Sequence, residues 1–167
     1  VWFPAAEPWP EAEAQVRRLR GFLAQLPTAH VASLHTIAFD PREYPFNAKK
    51  GVQLGQPELK LWASARAGVM TFYRNDPPGE WKVSRRRVFH ELAHCVAHQA
   101  FGSSTPPAAY EAAVKQDGTF FSDYSRKAFG ATGSLVEDFA DAYAAWMQAQ
   151  IDGGEVQAAF ERDYAAR

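Results

Sequence analysis

The spacing of apolar residues along the chain predicts a mainly helical protein. Between positions 11 and 26, apolar side chains recur at three- and four-residue intervals, which is the helical period. Pro27 follows and is expected to end this helix. The same pattern predicts helices at residues 83–101, 107–116 and 134–151, the third with Ser134 at its N-cap, and a short terminal helix after the glycine pair at 153–154.

Shorter segments have the composition of β-strands. Residues 30–40 are rich in β-branched and apolar side chains, and residues 58–64 and 69–74 resemble the two strands of a hairpin. Loops are expected at 41–57 and 117–133, and a turn at 75–79, because Pro, Gly, Asn and Ser cluster there. The proline- and aromatic-rich residues 1–10 are predicted to form an ordered arm.

Together these elements predict an α+β fold. We expect one domain over residues 1–167, in which a small, mostly antiparallel sheet packs on helix 83–101 and a C-terminal helical subdomain follows. The chain has 167 residues with 47% hydrophobic and 22% charged content, which is enough to build a sizeable core.

The composition excludes some classes of partner and of metal site. The formal net charge is -1, so no global charge favours nucleic acid or an anionic membrane as a partner. The lone cysteine, Cys95, forms no internal disulfide and excludes cysteine-based zinc sites; we expect it to be a small core residue. Any metal must then be held by His, Asp or Glu, and three of the five histidines fall between positions 90 and 98.

An HExxH motif lies within predicted helix 83–101. His90 and His94 are four residues apart, so both imidazoles lie on one helix face and can take neighbouring positions around Zn²⁺. Glu91 lies beside them and is the candidate general base for a zinc-bound water. The alternative is an amphipathic helix whose polar face happens to be rich in histidine.

A third metal ligand must come from elsewhere. A metzincin-type His at position 100 is excluded because the chain has Ala100. His98 would lie about 12 Å along the helix from His90, too far to share one ion, so we expect it in the pocket wall or in the second ligand shell. Glu137 is the candidate ligand, with Asp141 on the same helix face to orient a histidine. The competing role for Glu137 is a capping box with Ser134.

Residues 88–148 resemble a known family. The segments HELAHCVAH, FSDYS and EDFADAYAAW are similar to the catalytic domain of the anthrax lethal factor-like metallopeptidases, which include the clostridial Pro-Pro endopeptidases. The resemblance implies a secreted protein with a zincin-like fold, zinc ligands His90, His94 and Glu137, and Glu91 as base. It also implies that Asp141 lies in the second shell and that Tyr124 stabilises the oxyanion. Tyr124 lies 13 positions before Glu137, farther than in the family, which predicts a loop insertion between them.

These inferences predict a zinc-dependent endopeptidase with Zn²⁺ as its cofactor. We expect a monomer that binds a peptide or protein substrate in extended form, along strand 69–74, with neither nucleic acid nor membrane as a partner. Two alternatives stay open: a non-catalytic or regulatory zinc module that binds a protein partner, and an intracellular HExxH peptidase that cleaves repressors. Arg85 and its basic neighbours at 82, 86 and 87 favour an acidic residue in the substrate or form a solvated helix start.

Overall fold

The computed structural model describes residues 10–74 and 81–163. Within these residues the chain forms eight helices and three strands, in an α+β arrangement. In chain order they are α1 (Pro10–Leu23), α2 (Thr28–Val31), β1 (Thr36–Asp40), α3 (Asn47–Gln53), β2 (Ala63–Arg66), β3 (Val69–Tyr73), α4 (Arg85–Phe101), α5 (Ala108–Asp117), α6 (Asp123–Thr132), α7 (Val136–Asp152) and α8 (Gly154–Asp163).

The described sheet is mixed, so the prediction of a mostly antiparallel sheet was wrong. The strand order is β1-β3-β2, with β1 parallel to β3 and β2 antiparallel to β3. The chain between β1 and β2 includes α3 and stays at the end of the sheet where β1 finishes. Strand β2 then runs back to the other end, so that β3 starts level with β1 and lies parallel to it. Strand β3 is therefore central, and β2 forms an edge.

The predicted hairpin is confirmed with shorter strands. Strands β2 and β3 are joined by Ala67 and Gly68, both at positive φ (48° and 80°), as a two-residue hairpin turn requires. Gly68 also lies against the segment before β1, because a Cβ atom there would lie 2.7 Å from Nδ1 of His35. The turn thus fixes both the hairpin and its contact with β1.

Two predictions about the first half of the chain were wrong. The strand predicted at 30–40 begins only at Thr36, because the chain after Pro27 first forms the short helix α2. The loop predicted at 41–57 contains helix α3, in which Gly51 packs against the backbone of Gln56 and Pro57. Helix α1 begins at Pro10 and ends before Pro27; the rest of the predicted arm and the turn at 75–79 lie outside the described residues.

Helix α4 lies at the centre of the fold. Ser84 caps its start by accepting a hydrogen bond from the backbone N–H of Arg87, and Gly102 ends it at φ 72°. The buried side of α4 packs on α7 and on the sheet through residues that share a main hydrophobic core with α1, including Val88, Phe89 and Leu92. Alanines at buried positions of α4 and α7, among them Ala93 and Ala140, let the two helices approach closely.

The C-terminal half departs from prediction before α7. Residues 117–133 were expected to form a loop, but they contain α6, which Ser122 caps and Gly133 ends. Helix α7 begins at Val136, and Leu135 is its N-cap. The prediction that Ser134 is the N-cap was therefore wrong. Among the described residues, no helix is long and apolar enough to cross a membrane.

Candidate metal centre

Helix α4 carries three of the predicted site residues. His90, Glu91 and His94 lie near its middle, beside residues whose apolar side chains are fully buried. The packed side of the helix fixes its rotation about its own axis. The imidazoles of His90 and His94 consequently lie next to each other, with ring centroids 5.0 Å apart and planes at 85°.

Helix α7 brings two carboxylates to these histidines. Glu137 Oε2 lies 3.2 Å from Nε2 of His90 and 3.8 Å from Nε2 of His94. Asp141, one turn later, lies 3.0 Å from the other ring nitrogen of His90, Nδ1. The side chain of Glu137 faces the histidines, and the cap residue of α7, Leu135, forms no side-chain hydrogen bond with the helix. The structure therefore does not show the capping box that competed with the ligand role.

The spacing of His90, His94 and Glu137 fits a divalent metal. One potential ligand atom from each lies within 4.8 Å of the other two. Ligands about 2.0–2.1 Å from a tetrahedral Zn²⁺ lie about 3.3 Å from one another, close to the two distances to Glu137. Two nitrogens and one carboxylate oxygen are a donor set that suits zinc, with room for a fourth ligand. The structure thus shows a group that could hold a metal ion.

The two histidines have opposite electrostatic environments. Burial alone would lower the pKa of His90, but hydrogen bonds with Asp141 and Glu137 outweigh it and raise the pKa to about 10. Burial lowers the pKa of His94 to about 4, and the positive charge of His90 adds to this effect. His94 is therefore neutral near pH 7 and ready to bind a metal, whereas His90 must release a proton first.

The carboxylates around His90 are held in their charged form. Burial acts to raise the pKa of Glu137, but the hydrogen bond with His90 and the positive charges of the two histidines lower it overall. Asp141 has a lowered pKa for the same reason: its hydrogen bonds with His90 and Ser122 outweigh burial. An ionised Asp141 accepts a hydrogen bond from Nδ1–H of His90 and leaves Nε2 of the ring directed at Glu137.

Glu91 lies beside the group and is protonated more readily than an ordinary glutamate. Its side chain is buried, and burial raises its pKa to about 7, although the positive charge of His90 acts in the opposite direction. Glu91 lines the same cavity as His90 and His94. A carboxyl group whose pKa is near neutral pH can both accept and return a proton.

A third carboxylate of α7, Asp138, holds the start of α6 in place. Asp138 is fully buried and accepts hydrogen bonds from the hydroxyl of Tyr110 (2.8 Å), the backbone N–H of Phe121 (2.8 Å) and the hydroxyl of Ser125 (3.0 Å). The hydroxyl of Ser122 donates to Asp141. The N-terminus of α6 is thereby attached to α7 on both sides of Tyr124.

Tyr124 lines the cavity next to the metal group. It lies in the first turn of α6, so the residues between it and Glu137 form a helix rather than the predicted loop insertion. Burial, followed by the negative charges of Glu137, Glu91 and Asp141, raises its pKa. Its phenol is therefore protonated at physiological pH and can donate a hydrogen bond.

The remaining histidine and the cysteine of α4 lie outside the metal group. His98 is exposed and lines the cavity one turn beyond His94. Cys95 is buried in the main hydrophobic core, where burial raises the pKa of its thiol to about 11. Neither side chain is near enough to join the three potential ligands.

The metal group opens into a cavity of about 790 Å³. One wall consists of the consecutive residues 59–67, which include all of β2. Side chains alternate between the two faces of a strand, so an unbroken run of lining residues shows that the edge of β2 borders the cavity. The prediction that strand 69–74 lies along the site was wrong, because β3 is paired on both sides.

Sequence reasoning missed several residues that line the cavity, including two that lie before β2. Tyr44 and Lys50 both line it, and both come from the segment predicted to be a loop. Burial raises the pKa of Tyr44, and the negative charges of Glu91 and Glu137 add to it. The positive charge of Lys50 helps to lower the pKa of Glu137, which places its ammonium group near the metal group. Neither residue belongs to a recognisable motif.

Comparison with known protein families, curated proteins and solved structures finds no match to this chain.

Proposed function

We propose that the protein is a zinc-dependent endopeptidase. The observation that carries the proposal is the position of Glu91 beside His90, His94 and Glu137, in a cavity bordered by the edge of a strand. A purely structural metal site has no use for a carboxyl group with a pKa near 7 at an open cavity. The HExxH motif and the resemblance to lethal factor-like metallopeptidases support the same function.

The chain's own residues supply the acid-base chemistry. When bound by His90, His94 and Glu137, zinc would polarise a water molecule and the carbonyl group of the substrate. Glu91 would accept the proton of that water and deliver it to the leaving amine of the scissile peptide bond. Asp141 would keep Nδ1–H of His90 engaged, so that Nε2 remains available to the metal.

Tyr124 would stabilise the negative charge that develops on the carbonyl oxygen. Its phenol is protonated, it lines the cavity, and its helix is anchored to α7 through Asp138 and Asp141. A hydrogen-bond donor held in place before the reaction stabilises the transition state without a further cost of reorganisation.

The edge of β2 would bind the substrate in extended form. Within the described sheet this strand is paired on one side only, with β3, and its other side borders the cavity. A peptide added there would form backbone hydrogen bonds with Ala63–Arg66. A peptide held by its backbone can be cleaved far from its ends, which favours endopeptidase over exopeptidase activity.

The test is hydrolysis of a quenched-fluorescent peptide library by zinc-loaded wild-type protein and by Glu91→Gln. We expect the substitution to lower kcat by about 10²–10⁴-fold while zinc remains bound, because the base is lost and the ligands are not. Glu111→Gln, an exposed position on α5, is the matched control and should cleave at the wild-type rate. Equal hydrolysis by Glu91→Gln and wild type would contradict the proposal.

A further inference from the structure

Among residues 10–74 and 81–163, more positive than negative side chains line the cavity. Its basic lining residues are Lys50, Lys60, Arg66, Arg86 and Arg87. Its acidic lining residues are Glu91, Glu137 and Asp141. Because the whole chain has a formal net charge of -1, this excess of positive charge is a local property of the cavity.

The three carboxyl groups should repel the acidic side chains of a bound peptide only weakly. Glu137 and Asp141 each hydrogen-bond with His90, and Asp141 also accepts a hydrogen bond from Ser122. Glu91 is 7% exposed. All three belong to the proposed metal centre, where a bound divalent cation would offset their charge further.

The basic side chains lie at both ends of the cavity. At one end the ring of Trp62 is covered by the ammonium group of Lys82 at 4.2 Å and the guanidinium group of Arg87 at 5.9 Å, so the start of β2 lies near the start of α4. At the other end the turn after Arg66 reaches the later part of α4, where the thiol of Cys95 contacts the backbone of Gly68. A peptide lying along β2 would therefore pass cationic groups on both sides of the metal centre.

Two of these cations form ion pairs that are long and solvated. Lys60 lies 3.6 Å from Glu43, and both side chains are partly exposed. Arg86 lies 3.7 Å from Asp141 with 65% of its own side chain exposed. Solvated pairs at such distances contribute little stability, so a carboxylate of a bound peptide can compete for these cations.

We propose that this cavity selects acidic peptides, with Asp or Glu residues on both sides of the scissile bond. The proposal rests on the proposed function, because it names the substrate class of the same site. Lys60, which lies three residues before β2, and Arg66, the last residue of β2, determine specificity at the two ends of this edge. Electrostatic complementarity of this kind acts mainly through association and decreases with salt.

The test compares three quenched-fluorescent peptide libraries that are randomised at the same central positions. Their flanking positions carry Asp and Glu, Asn and Gln, or Lys and Arg. We expect kcat/KM to be about tenfold higher for the acidic library than for the neutral one, and lowest for the basic library. Raising NaCl from 50 to 500 mM should reduce the preference several-fold.

Variants locate the preference in the cavity. Lys60→Gln combined with Arg66→Gln should reduce the ratio of acidic to neutral kcat/KM by about threefold to tenfold. The matched control is Arg17→Gln, which removes an exposed cation of α1 and should leave the ratio unchanged. A ratio near one for the wild type, or an equal ratio for the double variant and the control, would overturn the proposal.

A binding measurement separates this proposal from the proposed function. Fluorescence anisotropy with labelled acidic, neutral and basic peptides on Glu91→Gln reports binding without hydrolysis. Tighter binding of the acidic peptide, together with no hydrolysis by the wild type, would support the acidic preference and contradict the endopeptidase. Hydrolysis by the wild type without any acidic preference in binding or kcat/KM would support the endopeptidase and contradict the acidic preference.

Discussion

Two consecutive carboxylates of α7, Glu137 and Asp138, lie in different surroundings. Asp138 is fully buried and accepts three hydrogen bonds from neutral donors on other parts of the chain. Glu137 faces the imidazoles of His90 and His94 and lines the open cavity. One residue of difference along a helix, about 100° of rotation, separates the two environments.

The difference shows how a carboxylate's neighbours define its role. Asp138 accepts hydrogen bonds from one N–H and two O–H groups, so it stabilises the packing of α5, α6 and α7. Glu137 lies beside Nε2 of His90 and Nε2 of His94, two nitrogens that can bind a metal ion together with its carboxylate. We infer that Asp138 acts on stability and Glu137 on metal binding, and substitutions can separate the two.

The largest expected effect on stability follows from Asp138→Ala. It should lower the free energy of unfolding by about 3–5 kcal/mol, because three buried donors lose their acceptor. Urea unfolding of the metal-free protein measures this. Asp123→Asn is the matched control: Asp123 begins α6 but its side chain is 82% exposed, so the loss should stay below about 1 kcal/mol. A similar loss in both variants would contradict the role assigned to Asp138.

A smaller effect, confined to catalysis, is expected for Tyr124→Phe. Removing the phenol hydroxyl should lower kcat by about 10–100-fold and leave KM and zinc affinity near their wild-type values, because the donor acts on the transition state. Steady-state kinetics and a zinc titration on the same preparation measure both quantities. Should KM rise while kcat stays constant, Tyr124 binds substrate and does not stabilise the oxyanion.

The pH dependence of the metal-free protein should reflect His90. Its pKa in the folded protein is about 10, raised from an ordinary value of 6.5, so the folded state holds a proton that the unfolded state has lost. The stability that this proton contributes is fully present below about pH 6.5 and is lost as the pH rises toward 10. Titration of His90 can lower the free energy of unfolding by at most about 1.4 kcal/mol per pH unit.

Urea unfolding of EDTA-treated protein at pH 7.5, 8.5 and 9.5 tests this prediction. In that range Glu91, with a pKa of about 7, is mostly ionised, and His94, with a pKa of about 4, is neutral, so the site's remaining change comes from His90. Zinc-loaded protein is the control, because a metal on Nε2 replaces the proton and should remove the part of the slope that His90 contributes. The smaller contribution of Cys95, whose pKa is raised to about 11, should remain in both forms. Metal-free protein that becomes more stable as the pH rises would contradict the charge assigned to His90.

The helices of the site could be predicted from the sequence because their signals are local. The apolar periodicity of α4 and of α7 can be detected within each segment by itself. The i, i+4 spacing is local too: it relates His90 to His94 on α4, and Glu137 to Asp141 on α7. The structure brings these side chains together as that spacing suggests.

The rest of the fold depends on contacts between distant segments. No local sequence pattern indicates that β1 pairs in parallel with β3. The sequence therefore could not show that β3 is central, and residues 69–74 were wrongly predicted to lie along the site. Helix α6 was missed because its serines and glycines are also typical of turns, and its cap uses Ser122 and Ser125 in a capping box without the usual Glu or Gln. The importance of Asp138 was missed because its partners come from α5 and from the start of α6, which are distant from it along the chain.

Zinc affinity tests the central claim most directly, measured by chelator competition and metal analysis on wild type, Glu91→Gln and Glu137→Ala. We expect one equivalent of zinc on wild type and on Glu91→Gln, and an affinity at least about 100-fold lower for Glu137→Ala, because only the last variant loses a ligand. Equal zinc affinity in Glu137→Ala and wild type would contradict the metal centre and the function built on it.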